Sequence, residues 1–234
     1  MSSHEIPLPR RIAAKATFEG ILELTSHGIQ IEGRENLPKK PPFLIAFNHF
    51  GWVEGLVPHI LLPVKDYPYV ITKIENMKGI LGKILPPLGF IGIRRGEADI
   101  RALRRAIELL RNGRIIATAP EGTRGRGDER LRPKTAKAGL IFLATQFEKP
   151  LPIVPMAVWG QNELTFPLID VEGFKLKDLK NLRKEPLRIK IGKPFIPDLG
   201  ARGEGMKNSE IRDILANQLQ EKIQALLPPN YSGV

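Results

Sequence analysis

Phe43-Leu44-Ile45-Ala46-Phe47-Asn48-His49-Phe50-Gly51-Trp52-Val53-Glu54-Gly55 begins as an apolar run and stops at an amide and an imidazole. A carboxylate follows five positions after the histidine. Entered from the proline-rich loop Pro38 to Pro42, the run reads as a strand over 43–48 of the continuous apolar kind that is buried in an α/β sheet. A histidine oriented by a carboxylate is a minimal device for removing a proton from a hydroxyl at neutral pH. A strand end finished by ordinary polar residues is the other reading of the same letters, and both stay open at this point. In a regular helix, residues five apart point about 140° away from each other, so His49 and Glu54 can meet only through a turn.

Working outward, short apolar runs predict further strands at 29–32, 68–74, 114–119, 151–159 and 187–191. Helical spacing predicts helices over 10–24, 52–61, 97–112, 137–148 and 209–226, with Ser209 as an N-cap of the last. On the 97–112 helix, Ile100, Leu103, Ala106, Ile107 and Leu110 form one face, with Arg101, Arg104, Arg105 and Arg111 largely opposite. The segment 79–93 is almost wholly apolar apart from Lys83 but broken by Gly and Pro, and is read either as core or as an acyl-chain groove or membrane-facing lip. Residues 10–24 similarly suit a helix packed on the core or one lying on a membrane surface. Alternating strands and helices without an internal repeat predict a single-domain α/β sandwich, its central sheet mixed but largely parallel and flanked by helices.

Composition removes several function classes. The chain has 234 residues and no cysteine, which excludes a disulfide scaffold, a cysteine nucleophile and thiolate metal sites. Its four histidines lack metal-ligand spacing, so no metal is expected. A net charge of +11 calls for an acidic partner: nucleic acid, an anionic membrane surface or a phosphorylated substrate. With 6% aromatic residues and no groove-reading motif, nucleic acid is not expected. No apolar run is long enough to span a bilayer, and the N-terminal residues lack the apolar core of a signal peptide.

Two loops carry candidate chemistry. Ala119-Pro120-Glu121-Gly122-Thr123-Arg124-Gly125-Arg126-Gly127 follows directly on a predicted strand. Its glycines allow close backbone approach, and its arginines can fork onto phosphate oxygens. It lacks the Gly-Lys-Ser/Thr ending of a Walker loop, and a solvated basic turn is the competing reading. Gly92-Ile93-Arg94-Arg95-Gly96 is a second basic site between an apolar segment and a helix, where ligands gather in open α/β sheets.

Taken in order, Asn48-His49 with an acid at 54, Gly89-Phe-Ile-Gly-Ile-Arg-Arg95, Pro120-Glu-Gly-Thr-Arg124 and Ile153-Val-Pro-Met-Ala157 resemble the four sequence blocks of the glycerolipid acyltransferases. The nearest branch is similar to the 1-acylglycerol-3-phosphate acyltransferases, and Lys137-Ala-Gly139 resembles a lysine segment found after the third block there. The resemblance spans residues 43–160. It departs at Glu54, where the family normally carries Asp.

The resemblance implies a glycerol-3-phosphate acyltransferase-like fold, with an N-terminal helical segment over 1–28 and the acyltransferase domain over 29–234. It implies His49 as general base oriented by Glu54, and Arg95, Glu121, Gly122, Thr123, Arg124 and Lys137 as ligands of the acceptor headgroup. Pro155 would shape the acyl-donor pocket. The implied acceptor is a lysophospholipid, foremost 1-acyl-sn-glycerol-3-phosphate, and the implied donor an acyl-CoA or acyl carrier protein thioester with no further cofactor. An anionic membrane surface is the expected partner, with the protein peripheral on the cytoplasmic face of a membrane. A noncatalytic lipid-binding protein of the same fold and an acyltransferase for another lysolipid are the alternatives.

Overall fold

The computed structural model describes residues 5–49, 53–94, 99–120, 143–144, 147–160, 186–197 and 208–229. The run that opened the sequence reading becomes β2 (Leu44–Phe47), the middle strand of a seven-stranded sheet. Around it lie β1 (Ile29–Glu32), β3 (Tyr69–Lys73), β4 (Phe90–Ile93), β5 (Ile116–Thr118), β6 (Ile153–Trp159) and β7 (Leu187–Ile191), in the order β1-β7-β6-β2-β5-β3-β4. All neighbours pair parallel except β6 with β7. Every residue of β2 is buried, as its unbroken apolar character requires of a strand covered on both faces.

Helix α1 (Leu8–Thr25) carries Pro9 in its first turn, where the missing N–H is not needed. It packs on the domain: Ala14, Phe18 and Leu22 are buried, and the Lys15 ammonium donates to the carbonyls of Ile60 (2.9 Å) and Leu62 (2.8 Å) at the end of α2 (Val57–Leu61). Arg11, one of the basic residues at the start of the predicted helix, is itself buried. It donates to Glu5 and to the carbonyl of Ile6, both at 2.6 Å, while Glu5 also pairs with Arg114. Leu8, Ile12 and Leu24 remain exposed.

The predicted helix over 52–61 is broken into a 3-10 turn at Val53–Gly55 followed by α2, since Pro58 has no N–H for a helix begun earlier. The segment 79–93 becomes α3 (Gly79–Ile84), a 3-10 turn at Pro86–Leu88 and the edge strand β4. Gly89 turns the chain into β4 at φ +91°, a backbone conformation that disfavours any β-carbon. Gly92 has no room for one either, because it would sit 2.5 Å from Met77 Sδ and 2.7 Å from Ile74 Cδ1.

Helix α4 (Ile100–Arg111) starts later than predicted. The Asp99 carboxylate accepts from the N–H of Ala102 at 3.2 Å and caps it. Its buried face is Ala102, Ala106, Leu109 and Leu110, whereas Ile100, expected in the core, sits in the first turn and is 56% exposed. The last helix, α5 (Asn208–Gln224), already includes Ser209, so that serine is not its N-cap. Of the predicted 137–148 helix, Leu143 and Ala144 are helical and buried, the chain bends at Phe147, and residues 137–142 and 145–146 lie outside the described residues. Among the described residues, no helix is long and apolar enough to cross a membrane.

Candidate active site

His49 stands two residues beyond the carboxyl end of β2, with three strands of the sheet on either side. Glu54 lies on the 3-10 turn that follows, and its Oε1 is 2.7 Å from His49 Nδ1. The turn brings together two side chains that a continuous helix would have pointed apart. The carboxylate is 3% exposed and the imidazole 16%, so the acid is enclosed while the base keeps access to a ligand. A buried acceptor on Nδ1 favours the tautomer with its proton there, leaving Nε2 to accept one.

Asn48 fixes the neighbouring backbone. Its side-chain amide donates to the Val158 carbonyl at 2.9 Å, and its side-chain oxygen accepts from the Val158 N–H at 2.7 Å. The last β2–β6 partners in register are Phe47 and Met156, so this side chain continues the ladder past the strand end. It is 4% exposed, and removing it would strand two buried backbone groups. The residue was visible in sequence only as part of a block. The signal for this clamp is an amide placed directly at the end of a buried strand.

The other expected ligands lie outside the described residues: Arg95, Glu121, Gly122, Thr123, Arg124 and Lys137. The strands leading to them are placed. Thr118 of β5 is in register with Ala46 of β2, so Ala119 and Pro120 emerge at the same end of the sheet as Asn48 and His49. Chain order then puts Glu121 directly after Pro120, and Arg95 directly after Arg94 at the end of β4. Pro155, expected at a donor pocket, is a buried residue of β6. Its ring packs over Gly192, where a β-carbon would meet its Cγ at 2.9 Å.

His59 plays a different part from His49. It is fully buried among Phe18, Tyr67 and Phe90, with ring centroids 4.9, 4.9 and 5.2 Å away, and neither ring nitrogen has a partner of good hydrogen-bond geometry. Burial pushes its imidazole down to about 3, the backbone carbonyls of Gly55, Leu56 and Leu88 acting in the other direction. It is a neutral core residue that joins α1 to α2 and β4.

A partly exposed histidine held by an enclosed carboxylate thus stands at the carboxyl end of the central strand of an α/β sheet, where ligands of such sheets gather. The chain belongs to the acyltransferase family, whose sequence profile matches residues 28–159, more than half its length. The 1-acyl-sn-glycerol-3-phosphate acyltransferase of Bacillus subtilis is 29% identical over 161 residues, an alignment covering 68% of this chain and 74% of that protein. The protein of the same name from Borreliella burgdorferi is 29% identical over 155 residues, covering 64% of this chain and 59% of its own. Among solved structures, the fold is similar to that of the 1-acyl-sn-glycerophosphate acyltransferase from Thermotoga maritima. There the TM-score is 0.58 at 21% identity, over 92% of this chain and 79% of that one.

Proposed function

We propose that the enzyme moves a fatty acyl group from a thioester, acyl-CoA or acyl carrier protein, to the free hydroxyl of 1-acyl-sn-glycerol-3-phosphate, giving phosphatidic acid. The observation that carries this reading is the 2.7 Å contact between His49 Nδ1 and the enclosed Glu54 carboxylate. His49 Nε2 accepts the hydroxyl proton as the oxygen attacks the thioester carbonyl, and Glu54 stabilises the imidazolium that forms. The tetrahedral intermediate collapses with cleavage of the carbon–sulfur bond. The departing thiolate takes the proton back from the imidazolium, so the base is restored and no acyl-enzyme is needed.

The glycerol-phosphate headgroup of the acceptor is assigned to Arg95, Glu121, Gly122, Thr123 and Arg124, with Lys137 beside them; the arginines would hold the phosphate, and Glu121 one of these arginines or a substrate hydroxyl. The support is that β4 and β5 deliver the preceding residues to the His49 end of the sheet, and that arginine forks suit a phosphate dianion. Attachment is peripheral, at the cytoplasmic face of a membrane. Exposed Leu8 and Ile12 on α1 and Ile80 and Ile84 on α3 would enter the lipid, with basic side chains drawn to anionic headgroups.

The decisive experiment is transfer of a labelled acyl group, from each donor type, to a panel of lysolipids by wild type and His49→Ala. Wild type is expected to acylate lysophosphatidate and His49→Ala to be reduced by at least about a thousandfold. Retained lipid binding without transfer by wild type would instead identify a noncatalytic lipid-binding protein. A different preferred lysolipid would correct the acceptor.

A further inference from the structure

We infer that Lys15 of α1 is a positioning residue for the transfer: by holding the end of α2 it seats the Glu54 carboxylate against His49. The inference rests on the reading of His49 as the general base and Glu54 as its partner.

The acid and α2 belong to one short helical piece. Glu54 lies on the 3-10 turn Val53–Gly55, and Leu56, which joins that turn to α2, is itself in helical conformation at φ −86° and ψ −26°. Its carbonyl accepts from the His59 N–H at 3.1 Å, which ties the turn to the first residues of the helix. With five residues, all of them buried, α2 is far below the length at which a helix holds itself together in water. What packs around it must fix its place, and with it the place of Glu54.

Helix α1 supplies that hold at two points. The Phe18 ring lies against His59, with 4.9 Å between centroids. Lys15 Nζ donates to the carbonyls of Ile60 and Leu62 at 2.9 and 2.8 Å, groups that the end of a helix leaves without intrahelical partners. The Phe18 contact is apolar and non-directional, whereas an ammonium shared by two carbonyls fixes the helix end in place. Burial lowers the pKa of this ammonium from the usual lysine value, with Glu19 opposing from 3.8 Å. A lysine that served solubility alone would keep its charge in water.

Distance defines the role. Glu54 and Ile60 are six residues apart, about 9 Å at helical rise, so Lys15 acts through α2 and not on the reacting atoms. The contact it protects is narrow. Glu54 Oε1 is 2.7 Å from His49 Nδ1, and a retreat of about 1 Å takes the acid out of hydrogen-bond range.

The test reads the His49–Glu54 contact directly, in the full chain carrying isotope-labelled histidine. Ring-nitrogen NMR shifts report which nitrogen holds the proton, and the His49 signals are identified by their loss in His49→Ala. Wild type is expected to show the Nδ1–H tautomer that a carboxylate on Nδ1 selects. In Lys15→Met the neutral ring is expected to move toward the Nε2–H tautomer, the form an imidazole prefers free in water. There kcat should fall about tenfold with both KM values within twofold, the lower end of what losing a hydrogen bond to a charged group costs. Lys15→Gln, whose amide still donates to one carbonyl, should give a smaller loss in a chain closer to wild type, and thermal melts establish that both variants fold. In a Glu54→Gln background Lys15→Met should add less than twofold, since the charge being positioned is gone. Two controls separate positioning from helix stability. Ala16→Gly weakens α1 at an exposed position, and Glu19→Gln removes the ion pair with Lys15; both should leave the tautomer unchanged and kcat within twofold.

A wild type without the Nδ1–H tautomer, a tautomer and kcat indifferent to Lys15→Met, a loss from Ala16→Gly as large as that from Lys15→Met, a rise in KM without a fall in kcat, or a full tenfold loss in the Glu54→Gln background would each overturn the assignment. A tautomer that follows Lys15 in a chain that transfers no acyl group would uphold the positioning and refute the proposed reaction. Transfer by a chain whose tautomer and kcat ignore Lys15 would do the reverse.

Discussion

Position 54 gives the sharpest test of the chemistry, because its enclosed carboxylate is the group in contact with His49 Nδ1. Glu54→Gln keeps the size of a side chain that is 3% exposed and keeps an oxygen able to accept from Nδ1, but it removes the charge that stabilises the imidazolium. A hydrogen bond to a charged group contributes about 1.5–3 kcal/mol, so kcat should fall by about 10- to 150-fold. Glu54→Asp acts through geometry. Shortening the side chain by one carbon–carbon bond, about 1.5 Å, withdraws the carboxylate from 2.7 Å to about 4 Å from Nδ1, beyond hydrogen-bond range. The shorter acid is therefore expected to be worse here, because this 3-10 turn is set for the longer side chain. The assay is the initial rate of labelled acyl transfer at saturating donor and acceptor, with thermal melts confirming that both variants fold. If Glu54→Asp equals or exceeds wild type, or Glu54→Gln stays within twofold of it, Glu54 does not orient the base and the mechanism needs another partner for His49.

Asn48→Ala leaves the Val158 N–H and carbonyl buried without side-chain partners, and should lower the unfolding free energy by about 2–4 kcal/mol in urea titrations. It should also slow transfer, and an unchanged urea midpoint would show that the clamp contributes nothing. His59 predicts a pH dependence of stability. Its folded value of about 3 lies below the ordinary 6.5, so its contribution is present above pH 6.5 and lost as pH falls toward 3. About 2 kcal/mol of stability should disappear between pH 7 and pH 5 on this account, and His59→Phe should remove that slope; a slope unchanged by the substitution refutes the burial argument. Replacing the exposed Ile12 and Ile80 by Ser should reduce sedimentation with anionic liposomes at low salt by about tenfold or more. Sedimentation indifferent to both substitutions, or absent in wild type, would refute attachment through these helices.

Much of the sheet was legible because short apolar runs, continuous in β2 and β6 and alternating in β1 and β7, are local signals: 29–32, 43–48, 151–159 and 187–191 all contain observed strands close to those limits. β4 was hidden inside 79–93, because Gly89 and Gly92 read as breakers. They are there because one residue turns at positive φ and the other lies under Met77 and Ile74. Ile100 was assigned to the core by helical spacing alone, and spacing does not say where a helix begins relative to the sheet. Arg105 was placed largely opposite the apolar face for the same reason, although its Nε is buried.

By itself the sequence determined the α/β class, a buried strand leading to Asn48 and His49, and the family, since apolar periodicity and ordered short motifs are local properties of the chain. The tertiary structure alone decided that Glu54 reaches His49, that Asn48 grips β6, that His59 is a neutral core residue, and that Lys15 reaches the end of α2. Each of these depends on distances between residues joined by turns or by strands far apart in sequence, and no local pattern of residues encodes such distances.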